Sequence, residues 1–168
     1  MTTSSSTNFE IDVAEYIEEA FERCGLEART GYDLQTAKRS MNIMLAEWAN
    51  RGLNQWTIEQ RTQTLTANDS DYSLETDVID ILSAVVRRST TDFSMTRISR
   101  DNYLAIPTKT TTGRPTQFFL DRQITPNLKI WPAPENSTDT IVYDALTRIQ
   151  DADGVTNTME IPFRFYPC

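Results

Sequence analysis

DLQTAKRSMNIMLAEWANRGLNQWTIE, residues 33–59, decides the fold class. Ala37, Met41, Met44, Leu45 and Trp48 recur at i, i+4, i+7, i+8 and i+11, which is one face of an α-helix. Lys38, Arg39, Asn42, Glu47 and Asn50 occupy the other faces. Asp33 offers a side chain to cap the start, and Gly52, after Arg51, supplies a left-handed stop. Beyond it, Leu53 and Trp56 lead into TIEQRTQTLTA (57–67), threonine-rich and extended. A long helix thus ends where a strand-forming region begins.

Upstream lies a second amphipathic pattern. Asp12 with Glu15 makes a capping-box start, Val13, Ile17, Ala20, Phe21 and Cys24 form an apolar stripe, and Gly25 ends it. Cys24 on that stripe reads as a small buried hydrophobe. Glu15, Glu18, Glu19 and Glu22 form an acidic outer face. The connection LEARTGY (26–32) is short, and helices joined so closely usually pack antiparallel. The expectation is a helical hairpin over 9–52, preceded by a disordered arm over 1–8.

Downstream the punctuation is that of strands. VIDILSAVVRRS (78–89) reads as a strand, and DFSMTRIS (92–99) as its hairpin partner. Ser99 caps a short helix near 100–106 that Pro107 ends. FFLDR (118–122), NLKIWP (127–132) and TDTIVYDALTRIQ (138–150) are further strands, and KTTTGRPTQ (109–117) is a loop shaped by Gly113 and Pro115. The predicted class is α+β: the helical hairpin packed beside an antiparallel β region, with 53–168 β-rich. Trp48, Trp56 and Trp131 are placed at the hairpin–sheet junction or in the ordinary core. The ending IPFRFYPC carries Phe163, Phe165 and Tyr166 with no polar cap. Such aromatics dock on this domain or on a partner, or the natural chain runs on past residue 168.

Composition limits the chemistry. The 168 residues carry a net charge of −8, 39% hydrophobic residues, two cysteines and no histidine. A core of useful size needs no disulfides at this length. Without histidine, Ser-His and Cys-His nucleophile pairs are impossible within the chain, and the commonest metal ligand is missing. The apolar runs are too short to span a bilayer, and MTTSSSTN is no signal peptide. Dinucleotide-binding, Walker and zinc motifs are absent. Asp151-Ala-Asp153-Gly lacks the remaining ligands of a calcium loop and reads as a turn. Glu15 with Glu19, and Glu18 with Glu22, are spaced for paired carboxylates, but on a polar helix face both members stay ionised. No catalytic, cofactor or metal site is expected. Arg87, Arg88, Arg97, Arg100, Lys109, Arg114 and Arg122 cluster in the second half. They read either as strand-edge charges or as a positive patch that meets an acidic neighbour.

The run EEAFERCGLEARTGYDLQTAKRSMNIMLAEWANRGLNQWTIE, with TRISRDNYLAIPTKTTTGRPTQFFLDRQ (96–123), LKIWPAPEN (128–136) and IPFRFYPC (161–168), resembles head-to-tail adaptor proteins of tailed bacteriophages, especially short-tailed ones. The resemblance runs from about residue 9 to the end and rests on order and spacing. It implies a structural virion protein and no enzyme: a homo-oligomeric ring, usually twelve-fold, at the portal vertex. The portal protein would lie above it and the tail nozzle protein below, with tail fibres as a further partner. DNA would pass through the centre without sequence-specific binding and without a membrane. Assembly would begin in the host cytoplasm. The free protein is expected to be a monomer that assembles only on its template, because no long apolar heptad or large apolar patch in the sequence declares an obligate oligomer. The resemblance also implies a C-terminal element beyond residue 168. Arg51, Arg97, Arg100, Arg114, Phe163, Phe165 and Tyr166 are then the candidate inter-subunit, portal or tail contacts. Glu15, Glu18, Glu19 and Glu22 are the candidate lumen-facing acids. A tubular nozzle or tail-completion protein is the neighbouring alternative, and a cell-wall hydrolase using the helix-one glutamates the more distant one.

Overall fold

The computed structural model describes residues 11–26, 31–53, 56–154, 156–158 and 161–162. The chain is α+β and divides into two compact units. One holds the N-terminal segment to Trp56 together with the residues from Ile149 onward; the other spans Thr57–Arg148.

In the first unit, α1 (Val13–Arg23) begins at Asp12, whose carboxylate accepts the Glu15 N–H at 2.8 Å while the Glu15 carboxylate accepts the Asp12 N–H at 3.3 Å. This is the expected capping box. Asp12→Ala should lower stability by about 1 kcal/mol, read as a drop in the denaturation midpoint of the helical signal. Helix α2 (Gly31–Asn50) starts before Asp33, so Asp33 sits in the first turn and does not cap it. Both helices end as read. Gly25 and Gly52 take φ of +70° and +78°. The Gly52 N–H donates to the Ala49 carbonyl and the Leu53 N–H to the Trp48 carbonyl, the paired closure of a Schellman motif.

Val13 and Ile17 of α1 meet Met41 and Leu45 of α2 in one buried cluster, with Trp48 and Trp56 partly buried against it. The same cluster takes in Ile149, Ala152 and Ile161. The reading of 53–168 as one β-rich region therefore changes at its end: Ile149, Ala152 and Ile161 pack with the helices. Polar contacts fix that return. Lys38 Nζ donates to the Asp153 carbonyl at 2.6 Å, the Ala152 N–H to Asn42 Oδ1 at 2.9 Å, and the Val13 N–H to the Asn157 carbonyl at 3.1 Å. Cys24 is not buried. It is the exposed C-cap of α1, where the apolar stripe runs off the end of the helix.

The second unit is built from β1 (Ile58–Thr64), β2 (Asp71–Ser73), β3 (Val78–Arg88), β4 (Thr91–Ser94), β5 (Thr96–Arg97), α3 (Arg100–Ala105), β6 (Thr112–Gly113), β7 (Gln117–Asp121), β8 (Asn127–Trp131), β9 (Ala133–Pro134) and β10 (Thr140–Thr147). One sheet runs β1-β10-β3-β4 and is antiparallel throughout; a second runs β2-β8-β7-β5. The parallel pairs, β5 with β7 and β6 with β9, are two residues long. Period-two alternation, interrupted in β3 by a bulge at Leu82, turns Ile81, Ala84 and Val86 of β3 and Ile141, Tyr143 and Ala145 of β10 toward Phe118 and Leu120 of β7 and Leu128 and Ile130 of β8, in one core shared by both sheets. Ser99 caps α3 through the Asn102 N–H, as the sequence reads. Trp131 belongs to this β unit, where its indole N–H donates to the Thr108 carbonyl.

Candidate interaction surfaces

The acidic face of α1 is present. Glu15, Glu18, Glu19 and Glu22 are all exposed. Glu15 is engaged in the capping box and Glu19 pairs with Arg23 at 2.7 Å, whereas Glu18 and Glu22 have no ion pair among the described residues. By sequence the helical unit holds twelve Asp and Glu against six Lys and Arg, and the β unit twelve against ten. Most of the chain's net negative charge therefore sits in the unit that holds the helices.

The arginines of the β unit make no open basic patch, because carboxylates from distant strands reach them. Arg97 donates to Asp80 at 2.8 Å and to the Ile81 carbonyl, and Arg122 donates to the other oxygen of Asp80 at 2.5 Å. Arg100 pairs with Asp121 and lies over the Phe119 ring. Since Arg122 follows Asp121, these three arginines gather at one end of the unit. Arg87 pairs with Asp92, and Arg88 with Asp139 and Glu135. Lys109 donates to the Leu104 and Ile106 carbonyls. Arg114 stands apart, its guanidinium 3.9 Å from the centre of the Phe93 ring. Arg51, the other candidate contact, pairs with Glu47 one turn back on α2 and is exposed. Phe163, Phe165 and Tyr166 lie outside the described residues.

One charge centre went unread in the sequence. Arg61 on β1 donates to Asp77 at 2.6 Å, Glu75 at 2.8 Å and Glu59 at 3.0 Å. Hydrogen bonding from Arg61 holds the Asp77 carboxyl below its usual value, and Asp77 holds the Arg61 guanidinium well above its own. The sign follows from linkage. A carboxyl depressed on folding stabilises the fold above its unfolded value near 3.8 and loses that contribution as pH falls through the folded value. Stability should therefore fall on acidification below about pH 4. Asp77→Asn should flatten that fall in an acid titration followed by circular dichroism, by less than about 1 kcal/mol, because Asp77 is part-exposed.

Two apolar features complete the surface. Between α1 and α2 lies a groove of about 370 Å³. Tyr16, Ile17 and Phe21 line it from α1, and Ala37, Met41 and Met44 from α2. In the β unit, Ile124 at the tip of the β7–β8 hairpin is 96% exposed. No group of three or more Asp, Glu or Cys side chains poised for a metal ion occurs among the described residues, and no described helix is long and apolar enough to cross a membrane.

Comparison with known families places the chain. A family model described as SU10 adaptor protein matches residues 11–167. The chain belongs to the SU10 adaptor family. It is a bacteriophage head–tail adaptor, a structural protein of the junction between head and tail, from a family that is not normally enzymatic. No curated protein matches the chain. The match embraces both compact units, so the adaptor's helices and its β unit are one family architecture.

Proposed function

We propose that this adaptor assembles as a ring, twelve-fold by the resemblance, between the portal and the tail nozzle, with the genome passing through its centre. The family match over residues 11–167 carries this reading. The charge distribution supports it. A ring that lets DNA slide must not clamp phosphates, and clamping needs exposed, unneutralised lysine and arginine. Here the β-unit arginines are largely spent on carboxylates of the same chain, and the helical unit is strongly acidic. We place Glu15, Glu18, Glu19 and Glu22 toward the lumen, where they repel the duplex within about one Debye length, roughly 8–10 Å. The internally paired Arg51, Arg97 and Arg100, with Arg114, then act at subunit, portal or tail contacts through their remaining donors.

The test is sedimentation of the purified protein alone and after mixing with cognate portal rings. A monomer alone that joins portal as a multi-copy complex supports the reading. A protein that ignores portal yet binds isolated nozzle belongs further down the tail.

A further inference from the structure

We propose that neighbouring adaptor copies join edge to edge through their β units, β1 of one copy pairing with β4 of the next; the inference rests on the ring reading above. β1 and β4 are the two outer strands of the sheet β1-β10-β3-β4. An outer strand shows a row of backbone N–H and C=O groups on its free side, and proteins usually guard it with lysine, proline or a bulge. β1 has none of these. Its sequence IEQRTQT pairs with β10 in an unbroken register from Ile58 to Thr64. Its one cation, Arg61, is taken up by Asp77, Glu75 and Glu59. β4, with the sequence TDFS, also lacks lysine and proline.

Strand direction suits a contact that repeats. Every pairing in this sheet is antiparallel, so β1 and β4 run in opposite directions. A second copy carried round by a rotation, its sheet facing the same way, sets its β1 antiparallel to the first copy's β4. The side chains fall in step. Arg61 lies opposite Tyr143 and Phe93 opposite Val86, and Tyr143 and Val86 both face the core. Directly opposed residues share a face, so Arg61 and Phe93 mark the same face of the sheet at its two edges.

Charge selects which edge meets which. Beside β1, Glu59, Glu75 and Asp77 outnumber Arg61 and Arg148, whose N–H donates to the Asp77 carbonyl. The Glu75 side chain is 77% exposed. Beside β4, Arg87 and Asp92 balance each other. Arg88 is held by Asp139 and Glu135, while Arg97 and Arg122 share Asp80. Arg114 is left over: it lies on the Phe93 ring with no carboxylate partner among the described residues. Pairing β1 with β1, or β4 with β4, about a two-fold axis would set acid excess against acid excess and Arg114 against Arg114. The unlike pairing sets Arg114 toward the acid excess, and it is the heterologous, head-to-tail kind that closes into rings.

Arg114→Glu and Glu75→Arg each reverse an exposed charge outside the core. Each should weaken ring formation on portal about 10-fold, since one exposed attraction is lost and a repulsion of similar size replaces it. Both changes in one chain should restore assembly, because the exchanged charges again face each other between copies. The contact itself is read in a Cys24→Ser, Cys168→Ser background by mixing Thr62→Cys chains with Ser94→Cys chains on portal and adding a short bismaleimide. Thr62 lies opposite Val142, and Val142 and Ser94 both lie opposite Val85, so the two positions share the outer face of the sheet. Cross-links between the two different chains are expected. A double variant no better than the singles, cross-links only between like chains, or rings that form normally without any cross-link would overturn the contact while leaving the ring reading in place. Failure of the unaltered protein to join portal at all would remove the ring reading first, and this contact with it.

Discussion

Phe118→Ala should destabilise the adaptor by about 3–5 kcal/mol and abolish recovery of portal-bound protein at physiological temperature. Phe118 is 2% exposed on β7, opposite Ile130 of β8, inside the core shared by the two sheets. Truncation removes a large apolar surface and leaves a cavity that neighbours from two sheets cannot both collapse to fill. Chemical denaturation of the variant measures it. Phe118→Leu keeps most of the apolar volume and should cost distinctly less.

The second large effect is electrostatic. Asp139 is 2% exposed and accepts from Arg88 Nε at 3.0 Å and Nη2 at 2.8 Å, with Asn136 Nδ2 at 3.3 Å as a weaker donor. Arg88→Ala strands that carboxylate. Breaking a buried pair by removing one partner is costly because the remaining charge stays buried, and here the exposed flank of Arg88 tempers that loss. Adding Asp139→Asn to Arg88→Ala should recover much of the difference. A double-mutant cycle on denaturation midpoints isolates that coupling. Arg87, next in sequence, pairs with exposed Asp92, and Arg87→Ala should leave the denaturation midpoint nearly unchanged. Two adjacent arginines that look alike in sequence thus differ in worth through the burial of their partners.

That contrast shows what the sequence could reveal. Local signals were legible. The period of Ala37 to Trp48 gives α2, Gly25 and Gly52 stop the two helices, Ser99 starts α3, and alternation in 141–146 gives the central strand. Pairings between distant residues were not. Asp80 meets Arg97 and Arg122 across 17 and 42 residues, and Asp139 meets Arg88 across 51. No spacing rule predicts such partners. The return of Ile149 and Ile161 to the helices was hidden for a related reason: the pattern of TDTIVYDALTRIQ continues past the strand end at Thr147 and does not say which core its last isoleucine enters. Cys24 misled because periodicity assigns a face but not how far the partner helix covers it.

The most direct test of the ring is a cryo-electron microscopy reconstruction of cognate portal mixed with the purified adaptor. The expected image is one closed ring of adaptor copies beneath the portal, coaxial with its channel, with the acidic face of α1 toward the lumen. Density for adaptor bound as isolated copies on the outside of the portal, or a closed lumen, would contradict it.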